Sequence, residues 1–221
     1  HHPDIPATKA VRSYGAFVHS LQARFDRRKD SPHFSAADRL LSEKAGQVAL
    51  ARGAPLIAYS YYADAAFRMM EGSGLPRVLF QVHPNGKYLR ELFQQEIEKV
   101  PEAKASLMEE TEMSPLFAHN DETFAQANAV ICASAFTQHS LAAAGSKAPA
   151  HVVGYGVDLD LFSARTIAPA AKPLTVGFVG ALSQRKGARY LLGALATLPK
   201  GSVKLILYTR AAVDRDLLRG F

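Results

Sequence analysis

Two adjacent cations, Arg185 and Lys186, lie between an apolar run that ends at Gly180 and a helical pattern that begins after Gly187. The N-terminus of a helix presents backbone N–H groups and a partial positive charge, and glycines let a ligand approach the main chain closely. With two cations added, such a turn suits an anion, and most simply a phosphate. The glycine spacing matches neither a Walker loop nor a dinucleotide-binding fingerprint. A solvated connecting turn is the alternative interpretation.

Two further polar residues follow predicted strands in other parts of the chain. His83 comes directly after the run RVLFQV, and Ser134 ends the run NAVICAS. In open parallel sheets, ligands bind at the carboxyl ends of the strands, where both residues are expected. His83 is therefore a candidate functional residue, with a purely structural histidine as the alternative. The other histidines lack the spacing of metal ligands, so no metal site is predicted.

The elements that must position these residues alternate along the chain. Alternating strands and helices predict βαβ units and a parallel sheet covered on both faces, which is an α/β fold. An aperiodic stretch rich in Ala and Pro, residues 163–173, predicts a linker. The predicted strands are 55–60, 77–82, 128–134, 151–154, 174–179 and 203–208. The predicted helices are 8–28, 36–52, 63–71, 87–127, 136–144, 188–197 and a stretch after 208. Ser35 is the predicted N-cap of the second helix, and Pro101 and Pro115 are predicted to break the fourth.

Bulk composition limits the choice of protein class. The chain has 221 residues, of which 48% are hydrophobic, so it holds one large domain or two smaller ones. No apolar run is long enough to span a membrane. The net charge of +6 suits nucleic acid, anionic lipid or a phosphorylated small molecule. The basic cluster Arg27-Arg28-Lys29 is either a solvated helix end or a contact with an anionic membrane surface. Cys132, the single cysteine, is predicted to be a buried hydrophobe.

Four segments resemble, in order and spacing, motifs of the GT-B-fold retaining glycosyltransferases of the group 1 type. The segment FVGALSQRKGARYLLGAL resembles the donor-phosphate loop of that family, and three more segments resemble others of its motifs: PRVLFQVH (76–83), VICASAFTQHSL and YGVDLDLF (155–162). The resemblance implies a GT-B-like fold with two Rossmann-like domains and a cleft between them. Residues 1–165 would form the N-terminal, acceptor-side domain without its first strands, and residues 166–221 the start of the C-terminal domain that binds a nucleotide sugar. The sequence is thus expected to be truncated at both ends and inactive by itself.

The resemblance also implies roles for single residues. Lys186 would contact the donor diphosphate with help from Arg185, and Gly180 would let the phosphates approach. His83 would be the catalytic residue near the donor sugar. The hinge and cleft would be shaped by Ser134, Gly156 and Asp158. No metal and no other cofactor is expected, so cations and a helix N-terminus must neutralise the departing diphosphate.

The sequence departs from the family pattern at several positions. Ala181 stands where the family often has Arg, and Tyr155 replaces the usual Asn. The segment YTRAA after the last strand replaces a Gly-x-Gly-like turn. The glycine-rich loop of the family has no counterpart before residue 55, and its acidic pair would lie past residue 221. Because Ala181 replaces that arginine, the phosphate contact that the family arginine makes is not expected from this position.

The leading hypothesis is a retaining glycosyltransferase that moves a sugar from a nucleotide-diphosphate sugar to a sugar, a lipid-linked sugar or a small molecule. A cytoplasmic protein is expected, and peripheral contact of the basic cluster with the inner face of the membrane is the alternative to a solvated helix end. One alternative is a non-catalytic binding protein on a GT-B scaffold with a degenerate donor site. Another is a nucleic-acid-binding α/β protein, but no RNA-reading motif supports it, so nucleic acid is not expected as a partner.

Overall fold

A computed structural model describes residues 14–25, 32–112, 120–164 and 173–209 of the chain. It is an α/β structure whose contacts group into two compact units. The first unit lies within His1–Tyr88 and Leu116–Tyr155, and the second within Leu89–Pro115 and Gly156–Phe221. The ranges 1–165 and 166–221 proposed from the resemblance stay a prediction. Several predicted features lie outside the described residues, namely Arg27-Arg28-Lys29, Pro115, most of the linker and the helical stretch after residue 208.

The described strands of the first unit all run parallel, as the alternating pattern predicts. The sheet has the order β1-β2-β3-β4, which is also the order along the chain. In the register Leu79 lies opposite Val130, and Gln81 opposite Cys132. The four strands are β1 (Leu56–Tyr59), β2 (Arg77–Gln81), β3 (Ala129–Cys132) and β4 (Ala150–Val152).

Within the described residues, the helices agree with the predicted helical segments except at one start. The long second helix begins at Pro32, so the prediction of Ser35 as its N-cap is wrong, since residue 35 lies inside the helix. Pro suits a first helical position because its missing N–H has no partner there anyway. No helix within the described ranges is long and apolar enough to cross a membrane. The helices are α1 (Tyr14–Phe25), α2 (Pro32–Arg52), α3 (Asp64–Met69), α4 (Gly86–Lys99), α5 (Lys104–Glu112), α6 (Asn120–Gln126), α7 (Ala135–Ala143) and α8 (Ala188–Ala196).

The core of the first unit lies on one face of its sheet. Right-handed crossovers between neighbouring parallel strands place the connecting helices on the same face. Phe67 of α3 and Leu141 of α7 accordingly pack with Leu79 and Val130 of the sheet, and each is at most 1% exposed. Helix α2 packs against α3, and α1 against α2. Cys132 is fully buried in this core, which confirms its predicted structural role, and burial raises the pKa of its thiol.

The other face of the sheet carries an aromatic row at its surface. Tyr59 and Phe80 pack edge to face with ring centroids 5.1 Å apart, and Phe80 meets Tyr155 in the same manner at 6.4 Å. Ile57 and Tyr59 nevertheless stay 63% and 54% exposed. The described residues thus leave this end of the face uncovered, and the predicted cover is shown for one face only.

The second unit has a two-stranded parallel sheet of β5 (Leu174–Val179) and β6 (Val203–Tyr208), both with the predicted bounds. Its core is a cluster of six residues that come from α4, the segment after it, the β5–α8 connection and α8. Phe93, predicted to be a core residue, is buried in this cluster. The members are Phe93, Val100, Ala103, Leu107, Leu182 and Ala188, with Leu89, Ile97 and Phe178 packed against them.

Candidate functional site

The connection from β5 to α8, residues 180–187, is called here the basic turn. Two glycines bound it, and both have backbone angles that residues with a side chain rarely adopt: φ is 131° at Gly180 and 74° at Gly187. The N–H of Gly180 donates to the carbonyl oxygen of Tyr208 at 3.0 Å, which ties the start of the turn to β6. Between the glycines, Gln184–Lys186 form one turn of 3₁₀ helix. The sequence therefore fixes a compact loop at the carboxyl end of β5.

Both cations of the basic turn face solvent. Arg185 and Lys186 are exposed, and the Lys186 N–H donates to the carbonyl oxygen of Ser183 at 3.0 Å. Within the described parts of the chain, Lys186 has no ion-pair partner. An anion arriving from solvent can therefore reach this ammonium group without displacing a carboxylate of the described structure.

The first N–H groups of α8 are already used inside the turn. The Ala188 N–H donates to the carbonyl oxygen of Ser183 at 3.2 Å, and the Arg189 N–H donates to Oε1 of Gln184 at 3.2 Å. The open N–H groups expected from the sequence are thus not available at these two positions. The partial positive charge of the helix end remains, so the attraction for an anion comes mainly from the two side chains.

Gln184, the residue just before the two cations, has a buried side-chain amide. Gln184 is 3% exposed, and its Nε2 donates to Oε1 of Glu96 on α4 at 2.6 Å. The other carboxylate oxygen of Glu96 accepts from the Tyr190 hydroxyl at 3.0 Å. This hydrogen bond, more than partial burial or the carboxylate charge, raises the pKa of Tyr190. Sequence reasoning missed Gln184 and Glu96, because 88 residues separate them and no motif links them.

His83 stands in a bend just past the end of β2, with its side chain exposed. Its carbonyl oxygen accepts a 2.6 Å hydrogen bond from Nε2 of Gln81, a side chain that is fully buried. The imidazole lies 5.8 Å from the ring of Tyr61, at an interplanar angle of 39°. Burial, followed by the charge of Tyr62, raises the pKa of Tyr61 to about 12. Gln81 thus fixes the main chain at His83 and leaves the imidazole accessible.

The turn after His83 is held by Asn85, a further residue that sequence reasoning missed. Oδ1 of Asn85 accepts from the N–H of Lys87 at 2.9 Å and of Tyr88 at 3.3 Å, so it caps the start of α4. The Asn85 N–H donates to the buried hydroxyl of Ser140 on α7 at 2.9 Å. Asparagine before a helical pattern is a strong N-cap signal, and that signal was present in the sequence.

Ser134 begins α7 as a helix cap. Its Oγ accepts from the N–H of Thr137 at 3.1 Å, while the residue itself is exposed. Gln81 is paired with Cys132 across β2 and β3, so His83 and Ser134 each lie two residues beyond a paired position. The structure therefore brings both to the carboxyl edge of the first sheet, where they were expected.

The segment YGVDLDLF shows an ordered turn after Gly156. Oδ1 of Asp158 accepts from the N–H groups of Asp160 at 3.0 Å and Leu161 at 3.1 Å, the pattern of an Asx turn. The boundary between the two units falls between Tyr155 and Gly156. Both Gly156 and Asp158 are exposed, and the visible role of Asp158 is to shape this turn.

No group of three or more His, Cys, Asp or Glu side chains that could hold a metal ion occurs among the residues with described structure. The sequence matches no protein-family model, and no curated protein is significantly similar to it.

Proposed function

We propose that this chain carries the donor-phosphate site of a retaining glycosyltransferase of the GT-B type, and that the donor is a nucleotide-diphosphate sugar. The observation that carries the proposal is the basic turn: two exposed cations on a turn that follows a parallel strand, between two glycines with positive φ. Two adjacent cations on one short turn suit the two phosphates of a diphosphate better than a single carboxylate. Lys186, whose ammonium has no ion-pair partner within the described ranges, is the principal phosphate ligand.

In this proposal the cations stabilise the leaving diphosphate when the bond to the sugar breaks. Negative charge grows on the leaving oxygen in that step, and fixed positive charge lowers its energy without rearrangement. His83 is the proposed catalytic residue of the first unit, since its imidazole is exposed on a main chain held by Gln81. Ser134, which caps α7 in the first unit, and Gly156 and Asp158, which follow the boundary between the units, keep the roles proposed from the resemblance.

Isothermal titration of the chain with uridine and guanosine diphosphates tests the proposal. Replacing Lys186 with Ala should weaken binding roughly ten- to hundredfold, since a hydrogen bond to a charged group contributes about 1.5–3 kcal/mol. Arg185→Ala should weaken it less. Lys204→Ala removes the same charge from an exposed position on β6 of the same unit. Lys204 is paired with Thr175 near the amino end of the sheet, whereas the basic turn follows its carboxyl end, so the charge is screened from a ligand there and binding should stay within about twofold.

The same titration separates the second candidate, a non-catalytic protein with a degenerate donor site. That candidate is favoured by Ala181, which leaves the first position after Gly180 without a cation. A degenerate site predicts no measurable affinity for either diphosphate, and equal behaviour of Lys186→Ala and Lys204→Ala. Affinity that depends on Lys186 and not on Lys204 favours the transferase.

A further inference from the structure

Gln184 is a buried polar residue between exposed cations and the apolar cluster of the second unit. Its neighbours Arg185 and Lys186 face solvent, while Gln184 is 3% exposed. Burying an amide is costly unless its donor and acceptor are both satisfied. An apolar side chain would fill this position without that requirement, so the amide needs an explanation beyond packing.

Both ends of the Gln184 amide are bonded to groups that define the turn. Nε2 donates to Oε1 of Glu96 at 2.6 Å, and Oε1 accepts from the Arg189 N–H at 3.2 Å. The amide therefore joins helix α4 to the first turn of α8, with the two cations attached directly to its own main chain. The Arg189 guanidinium adds a longer contact to Glu102 at 3.7 Å. All of these residues lie in the second unit.

The hydrogen bonds that Glu96 accepts also determine which groups its carboxylate contacts. One oxygen accepts from Gln184 and the other from the Tyr190 hydroxyl at 3.0 Å. Neutral donors thus occupy both oxygens, and the carboxylate forms no ion pair with Lys186 among the described residues. The carboxylate of Glu96 thus holds the basic turn through Gln184, and the ammonium group of Lys186 stays accessible to a ligand.

We propose that Gln184 is a positioning residue and Glu96 its anchor, which together set the orientation of the Arg185-Lys186 pair for a diphosphate. The inference rests on the proposed function, because it assumes that the basic turn binds phosphate. It adds that the site depends on a residue of α4 and not on the turn alone.

Glu96→Leu distinguishes positioning from simple charge effects, because the two predict opposite signs. Removing a negative charge near cations should strengthen pyrophosphate binding if only Coulomb attraction matters. Loss of the anchor should weaken it, by about tenfold, if Gln184 must be held in place. Glu98→Leu is the matched control, since it removes the same charge from an exposed position on the same helix. It should bind inorganic pyrophosphate as tightly as the wild type or slightly more tightly.

A swap of the two groups keeps the proposal testable if Glu96→Leu lowers stability. Gln184→Glu places two carboxylates where the 2.6 Å contact now lies, and should lose at least tenfold in pyrophosphate affinity. The double variant Glu96→Gln with Gln184→Glu restores a donor and an acceptor at the same place and should recover most of the affinity. Double-mutant coupling of this kind isolates the pair from its surroundings. Val100→Ala removes apolar volume from the buried cluster but none of the side-chain hydrogen bonds of the pair, so it should lower the melting temperature and leave affinity unchanged.

Hydrogen exchange at the Arg189 amide gives a readout that needs no ligand. Exchange should be faster in Gln184→Glu, because repulsion by Glu96 displaces the side chain that accepts from this N–H, and it should return to the wild-type rate in the swap. Undiminished pyrophosphate affinity in Glu96→Leu overturns the positioning role even though the wild type binds. If the wild type binds no pyrophosphate while the exchange pattern is as expected, the phosphate function is overturned and the amide is only a fold contact.

Discussion

The two units of this protein hold their strands in different ways. In the first, Leu79, Gln81, Val130 and Cys132 of the central strands are fully buried beneath helices. In the second, each residue of β5 and β6 is exposed or half-buried, and Val179 is 81% exposed. Burial in the second unit is concentrated instead in the cluster of α4, α5, the basic turn and α8.

The difference shows where each candidate site obtains its rigidity. His83 and Ser134 are positioned by the sheet and helices from which they emerge, through Gln81 and the cap of α7. The basic turn is positioned by residues from an earlier part of the chain, through Leu182 and Gln184. A sequence motif can therefore include the residues that position His83 and Ser134. For the basic turn, the motif includes the turn but not the residues of α4 that hold it.

The largest expected effect is in the core of the first unit. Phe67→Ala should lower the free energy of unfolding by about 3–5 kcal/mol, as for other buried phenylalanines, since Phe67 is 0% exposed. Ile57→Ala on the opposite face should change it by less than about 0.5 kcal/mol. Urea unfolding measures both, and thiol labelling of Cys132 reports opening of this unit. An equal cost at Ile57 would mean that both faces of the sheet are covered in solution.

In the second unit, the turn should matter more than the strand. Leu182→Ala should cost about 2–5 kcal/mol because Leu182 is 1% exposed. Val179→Ala, three residues earlier, should cost less than about 0.5 kcal/mol. Hydrogen exchange of the α8 amides separates the two variants. The comparison between the units breaks down if Val179→Ala releases α8 more than Leu182→Ala does.

Alanine substitutions at two serines, each just before a helix, provide a comparison of the units with a smaller expected effect. Ser134→Ala removes the cap of α7 and should cost about 1 kcal/mol. Ser183 begins the 3₁₀ turn without a cap bond, and its hydroxyl is buried with no partner among the described residues. Ser183→Ala should therefore be neutral or slightly stabilising, because an unsatisfied buried group is removed. Paired melting curves test this, and a larger loss at Ser183 contradicts it.

The smallest effect concerns alkaline pH. Burial raises the pKa of Tyr61 to about 12 from an ordinary value of 10.0. The folded state therefore keeps this proton where the unfolded state has lost it, so stability falls as the pH rises from 10 to 12. Tyr61→Phe should flatten that part of the pH–stability curve, and Tyr59→Phe should not. Partial exposure of Tyr61 keeps the effect small, and identical curves for the wild type and Tyr61→Phe would refute it.

Much of the fold was predictable because local patterns determined it. Both strands of the second unit have their predicted bounds, and the other strands end within about two residues of theirs. Apolar runs bounded by turn residues are sufficient to find such strands. The start of α2 was misplaced because a serine followed by an aspartate resembles a capping sequence, while Pro32 made an earlier start possible.

The candidate sites were predictable only as far as their own segments. Gly180, Arg185 and Lys186 were placed correctly in one turn, since strand, glycines and helix are consecutive in the sequence. Gln184 was not singled out from the sequence, because nothing local indicates that its side chain is hydrogen-bonded to Glu96, 88 positions earlier. The exposed face at Ile57 was missed because a buried and an uncovered apolar strand have the same sequence pattern.

The joining of α4 to the basic turn has a consequence for synthesis on the ribosome. Glu96 emerges 88 residues before Gln184, and at about 5–20 residues per second that interval is roughly 4 to 18 seconds. During this interval, Phe93 and Val100 cannot pack against Leu182 and Ala188, their partners in the cluster, because those residues have not yet been synthesised. The nascent chain thus exposes an apolar helix face for a defined time, and slow codons between residues 100 and 180 would prolong it.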